Sequence, residues 1–345
     1  GTAKSTDVGG TEVVEGDFNL ISGQAITINA NGDLVPNTTI YVTVIDDNLV
    51  ETDESFGLRL EGLSASGRNV IFSSASSTVD ATVSIDETDK STISMSNVTQ
   101  SEALGTMNFD IVITNPIDQP VSLTVNTRVV TATPGSDYTA ISDATYTIPA
   151  GTLSASLLDL PVTITTDNLV EATESFTLEL SGLTVASGRD VTLSGLGATL
   201  NATGTIEDND EAQITFAASN TPTGTEGVGQ LITFKIAMSN PVDQTVTFDY
   251  STDFNANATA GFESVTVNLV NNEIVEGDEY FDLLLSNLAI PTGRNVYFYD
   301  VDAMTTTTEI SSTATISDDD VATISIADKA VTEDVDANAV LTLTS

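Results

Sequence analysis

Residues 167–182 read DNLVEATESFTLELSG, an acidic loop that runs without interruption into an alternating stretch. From Ser175 onward, Phe176, Leu178 and Leu180 share one parity, and Ser175, Thr177 and Glu179 the other. A period of two predicts a strand with one buried and one wet face. The phrase returns as DDNLVETDESFGLRLEG at 46–62 and as NNEIVEGDEYFDLLLSN at 271–287, with inward trios Phe56, Leu58, Leu60 and Phe281, Leu283, Leu285.

Other phrases recur in the same order. SGRNV (66–70), SGRDV (187–191) and TGRNV (292–296) follow the acidic loops, and SIDETD (84–89), TIEDND (205–210) and TISDDD (315–320) close each round. NPIDQPV (115–121) and NPVDQTV (240–246) appear twice. Glu51, Glu171 and Glu276 are spaced by 120 and 105 residues, a period of domains and not of a short solenoid. The expected layout is a partial repeat at 1–89, a complete repeat at 90–210, a repeat at 211–320 with a missing or deleted segment near 261, and the start of another at 321–345. In the complete repeat, strands are expected near 91–96, 106–114, 120–128, 143–148, 156–165, 173–181 and 198–207. Seven short strands in a domain of this size, with no helical period, predict an all-β fold of tandem immunoglobulin-like β-sandwiches in an elongated array.

Composition narrows the chemistry. Lys and Arg number 9 against 50 Asp and Glu, a formal net charge of −41, so nucleic acid and anionic lipid would be repelled and cations attracted. Hydrophobic residues make up 40% of the chain, which suffices for cores and sets it apart from an acidic disordered tail. Cys, His and Trp are absent, which removes thiol nucleophiles, imidazole bases, disulfides and His or Cys zinc sites. Paired carboxylates also hydrolyse glycosides, but without Trp to line a sugar cleft the expectation is that the chain is not an enzyme. It contains no apolar run of membrane-spanning length, so this segment is not expected to insert.

If successive strands alternate in direction, the loops holding Glu102, Asp137, Asp167 with Glu171 and Glu174, and Asp208 with Asp210 meet at one pole. Carboxylates about 4 Å apart repel by roughly 4 kcal/mol at an effective dielectric near 20. Protonation or a bound cation relieves this, and a loop-built oxygen set suits Ca²⁺ better than Mg²⁺. Acidic loops also serve as plain solubilising charge. The arginines Arg68, Arg189 and Arg294 of the SGR and TGR phrases are expected to brace loops, through carbonyls or a nearby carboxylate. The NPIDQ and NPVDQ phrases read as turns.

GSDYT (135–139), DNLVEATESFTLELSG and TIEDND together make the sequence resemble the Calx-β repeat family, known from sodium/calcium exchanger regulatory domains and common in large bacterial surface proteins. The resemblance implies a seven-stranded sandwich with several Ca²⁺ ions at its distal loops. It carries the ligand role to Glu102, Asp137, Asp167, Glu171, Glu174, Asp208 and Asp210 in the complete repeat. In the repeat before it the matching residues are Asp17, Asp46, Asp47, Glu51, Glu54, Glu87 and Asp89, and in the repeat after it Glu226, Glu276, Glu279, Asp318, Asp319 and Asp320. Asn271 and Asn272 stand where Asp46 and Asp47 do, so the last site is expected to be weaker or to hold fewer ions.

The functional expectation is a calcium-binding stalk of a large adhesin on the bacterial cell surface, for attachment or gliding motility, with calcium and neighbouring repeats of the same chain as partners. The Thr-rich, Cys-free, acidic style is similar to that of gliding-motility adhesins of the SprB type. The alternatives are a calcium sensor attached to a membrane transporter and a ligand-binding surface module.

Overall fold

The computed structural model describes residues 2–3, 5–6, 16–30, 34–35, 39–73, 75–153, 158–195, 197–218, 220, 222–252, 258–261, 264–333 and 340–344. Two compact units emerge, one of residues 1–100, 104–165 and 175–206, the other of 101–103, 166–174 and 207–345. Strands dominate both, and the helical exception among the described residues is one 3₁₀ turn, Glu102–Leu104.

The first unit opens with short pairings and then a regular hairpin, β1 (Glu54–Glu61) against β2 (Thr78–Ile85). Phe56 from β1 stacks on Phe18, ring centroids 4.1 Å apart, which seeds a small core with Ala3. The complete sandwich follows. One sheet runs β8 (Leu158–Thr163), β5 (Thr106–Ile113), β3 (Lys90–Met95), β10 (Asp190–Leu193). The facing sheet runs β7 (Ala144–Ile148), β6 (Val121–Val129), β9 (Glu174–Thr184), β11 (Thr199–Glu207), β4 (Val98–Ser101). All seven expected strands are present, with ends that differ from the expected bounds by up to three residues. Two more, β4 and β10, were too short to show an alternating pattern, and β10 pairs with β3 in parallel.

The core is the one the alternation foretold. Met107, Phe109, Ile111 and Ile113 of β5 face Phe176, Leu178 and Leu180 of β9, all of them buried. Phe176 is the hub: Tyr138 stacks on it at 4.5 Å and Phe109 meets it edge-on at 6.0 Å. Room for that ring comes from Gly204 in β11, where a Cβ would lie 2.7 Å from the Phe176 ring and 2.8 Å from Met107 Sδ.

The second unit repeats the plan. One sheet runs β16 (Ala258–Gly261), β17 (Ser264–Asn268), β14 (Leu231–Met238), β12 (Ala212–Phe216), β19 (Val296–Asp300), β20 (Thr305–Thr307). The other runs β13 (Thr223–Thr225), β21 (Ile310–Ser317), β18 (Glu279–Ala289), β15 (Thr247–Thr252). Phe234, Phe281, Leu283, Leu285 and Phe298 fill its core. Where β6 has β7 as an outer neighbour, β15 is the edge among the described residues, which matches the shortened sequence there. The sequence gap near 261 adjoins residues 253–257 and 262–263, which lie outside the described residues.

Replacing Gly204 by Ala drives a methyl group into two fully buried side chains. The expected cost is about 1–3 kcal/mol, read as a lower urea midpoint at unchanged m-value.

Candidate metal centre

Each acidic loop begins by capping itself. The Oδ1 of Asp47 accepts from the Leu49 N–H at 2.8 Å, that of Asp167 from Leu169 at 2.7 Å, and that of Asn272 from Ile274 at 2.6 Å. Asp and Asn favour this local turn because their short side chains reach the backbone two residues on. Asn272 therefore does the geometric work of its aspartate counterparts while contributing no charge.

A second contact ties the loop to the strand ending. The backbone N–H groups of Glu51, Glu171 and Glu276 donate to the carboxylates of Glu87 (3.2 Å), Asp208 (2.8 Å) and Asp318 (2.7 Å). The other oxygen of the same carboxylate accepts from the N–H of Asp89 (2.5 Å), Asp210 (2.9 Å) or Asp320 (2.9 Å). One carboxylate per repeat thus staples the acidic loop to the acidic terminus, and brings together residues about 40 positions apart.

The stapled segments converge on a buried glutamate. In the complete repeat, ligand-capable oxygens of Glu102, Asp208 and Asp210 all lie within 4.8 Å of one another. Glu102 is 6% exposed, and its Oε1 and the Oδ2 of Asp210 are buried without a hydrogen-bond partner. In the next repeat Glu226 gathers Asp318, Asp319 and Asp320, and in a second grouping Glu276 and Glu279, within the same distance. Glu226 Oε2 and Asp320 Oδ2 are again buried and unpartnered. In the first repeat, Asp17, Asp46, Asp47, Glu51, Glu54, Glu87 and Asp89 line a cleft of about 290 Å³.

Crowding shows in the acidities. Burial, then the carboxylates of Asp17, Glu54 and Asp47, push Glu51 up to about 7. Burial and the adjacent Asp210, with Asp208 and Asp167 close by, push Glu102 up to about 7. Asp89, Glu226 and Asp320 move the same way, each first through burial and then through neighbouring acids. A buried carboxylate oxygen with no donor is costly. Two of them in each of two repeats, among donors that are all oxygen, fit a hard divalent cation at each cluster.

Asp167 contributes charge beside Glu102 but spends one oxygen on its own turn. Glu171 enters through its backbone, and Glu174 opens β9. Asp137 stands apart from the groups of three, with a carboxylate that accepts the Thr133 N–H. The last repeat, expected to be weaker because of Asn271 and Asn272, gathers more carboxylates around its glutamate than the complete one, since Asp319, Glu276 and Glu279 join it. Sequence reasoning missed Asp53, whose Oδ1 accepts the Glu87 N–H at 2.9 Å. Its register partners, Thr173 and Asp278, were the available signal.

The family model for the Calx-beta domain matches residues 30–89, 84–210 and 253–320, more than half of the chain. The chain belongs to the Calx-beta family. Among solved structures it is similar to the apo-form Calx CBD1 domain (21% identity, 35% of this chain and 100% of that one, TM-score 0.30). It is also similar to CBD12 from CALX1.2 (19%, 59% and 83%, 0.30) and to the titin domains Z1Z2 in complex with telethonin (13%, 68% and 98%, 0.31). None of the curated proteins compared matches the chain. No helix among the described residues of this Calx-beta chain is long and apolar enough to cross a membrane.

A carboxyl raised in the folded state holds its proton more tightly there than in the unfolded chain. Between the ordinary value of 4.5 and about 7, the folded state therefore binds more protons and stability falls as pH rises. In chelator the melting temperature should be higher at pH 5 than at pH 7.5, and Glu102→Gln should flatten the difference. A slope unaffected by that substitution would remove the crowding argument.

Proposed function

We propose that the three acidic clusters bind Ca²⁺ and that the bound ions stiffen a tandem array serving as the stalk of a secreted bacterial surface adhesin. The observation that carries the ion-binding reading is the recurrence of one arrangement: a stapling carboxylate, a following aspartate with a buried free oxygen, and a buried glutamate facing it. Glu102, Asp208 and Asp210 would supply ligands in one repeat, and Glu226 with Asp318, Asp319 and Asp320 in the next. A divalent charge there would offset the burial and the acidic crowding that together push Glu102 up to about 7.

Support for the stalk comes from the connections. β2 ends at Ile85 and β3 begins at Lys90; β11 ends at Glu207 and β12 begins at Ala212. The residues between include Glu87, Asp89, Asp208 and Asp210, so the ligands are themselves the connection. An ion that orders them leaves little slack between repeats. The same sites on a chain tethered to a transporter would act as a sensor; the short, ligand-filled connections favour the structural role.

Calcium at about 100 times its dissociation constant should stabilise the occupied repeat by about 2.7 kcal/mol. The full chain should melt several degrees higher in calcium than in chelator, and Asp210→Asn or Asp320→Asn should each remove part of that rise. An unchanged melt would sink the ion-binding reading. If the melt responds but small-angle scattering of the chain is the same in calcium and in chelator, the stalk role fails and the sensor role gains.

A further inference from the structure

Two valines of the VE pairs, Val50 and Val170, do something the acidic residues beside them do not. Val50 is fully buried, although the loop around it is acidic and solvated. Its N–H donates to the Pro116 carbonyl at 2.9 Å, and its own carbonyl accepts the Asp118 N–H at 3.2 Å. A parallel bridge to Ile117 results. Val170, also fully buried, makes the same pair of bonds to Pro241 and Asp243, at 2.9 and 3.2 Å, and bridges Val242. In both cases the valine belongs to one repeat and the Asn-Pro-x-Asp turn to the repeat that follows it.

The turn is braced from behind. Arg189 donates to Asp118 through two nitrogens, at 2.8 and 2.5 Å, and Arg294 grips Asp243 in the same bidentate way, with its Nε at 2.9 Å. All four side chains are largely shielded from water, and a planar fork of this kind fixes the carboxylate's orientation as well as its charge. Each arginine also ties back to its own loop, through the carbonyl of Ser187 or Thr292. The preceding glycine completes the seat. Gly188 (φ +88°) and Gly293 (φ +83°) adopt a backbone that favours glycine, and a Cβ on them would lie 2.9 Å from Thr52 and 3.2 Å from Ala172. Thr52 and Ala172 each stand two residues beyond the buried valine.

We propose that these residues form a plug-and-socket joint that recognises a neighbouring repeat of this chain: the plug is the valine of the VE pair, and the socket is the Asn-Pro-x-Asp turn braced by the Gly-Arg loop. Its hydrogen bonds run between the valine backbone and the turn and use none of the carboxylates of the proposed ion sites, so the joint is distinct from those sites and couples the first two acidic loops to the body of the following repeat. The third plug serves as the built-in reference. Val275 is 46% exposed and Ile274 beside it 61%, with no such turn against them among the described residues.

Hydrogen exchange on the full chain in chelator tests the joint. The Val50 and Val170 amides should exchange far more slowly than that of Val275, on the order of 100-fold. Asp118→Asn should speed exchange at Val50 by roughly tenfold and leave Val170 unchanged, and Asp243→Asn should do the reverse. Acceleration at neither amide, or equal acceleration at both, overturns the proposal. A cysteine pair at Val50 and Ile117 in this cysteine-free chain gives a second measurement. Closure to a disulfide at equal rates in calcium and in chelator is expected, whereas closure in calcium alone, or none, refutes an ion-independent joint.

Discussion

A single carboxylate in each repeat, Glu87, Asp208 or Asp318, holds two backbone N–H groups, one from the acidic loop and one from the strand ending. Everything at that pole follows from this staple. The two hydrogen bonds draw together loops that carry like charge, against a repulsion that grows as they close. The result is a cluster whose buried oxygens outnumber their donors. Such a cluster tolerates a proton or a cation and little else, and burial with acidic crowding pushes Glu51 and Glu102 up to about 7.

Much of the architecture was legible because it rests on period and repetition. Phe176, Leu178 and Leu180 announce a buried strand face in any register, and three copies of the phrase make chance an inadequate account. Short strands such as Val98–Ser101 and Asp190–Leu193 escape such reading, since four residues hold too few alternations to stand out. Parity of strand direction foretold that Glu102 would meet Asp208 and Asp210, yet it could not separate an inward carboxylate from one that closes its own turn, as Asp137 does. That difference depends on side-chain torsions, which leave no trace in spacing.

The two recurring phrases without acid clusters had the opposite fate. Asn-Pro-x-Asp reads as a turn and forms a bend between two strands, and the Gly-Arg loops of Arg189 and Arg294 read as braces and act as such. What spacing could not convey is that they meet. Asp118 and Arg189 are 71 residues apart, and Val50, whose carbonyl accepts the Asp118 N–H, lies in a different repeat. Charge bookkeeping adds a reason for the pairing. With 9 basic residues among 345, an arginine committed to one aspartate is withheld from the acidic loop beside it.

Strand direction also decides how such a fold bears tension. In the second unit, β13 lies near the start of the sandwich and β21 at its end, and they pair in parallel through Thr223, Gly224 and Thr225 against Thr315, Ile316 and Ser317. Pulling the chain from its two ends drags these strands in opposite directions along their length. The bonds between them are then loaded side by side and must fail together, whereas an antiparallel hairpin pulled from its open end unzips one rung at a time. A chain under traction thus loads the β13–β21 pair in shear before the aromatic core is disturbed.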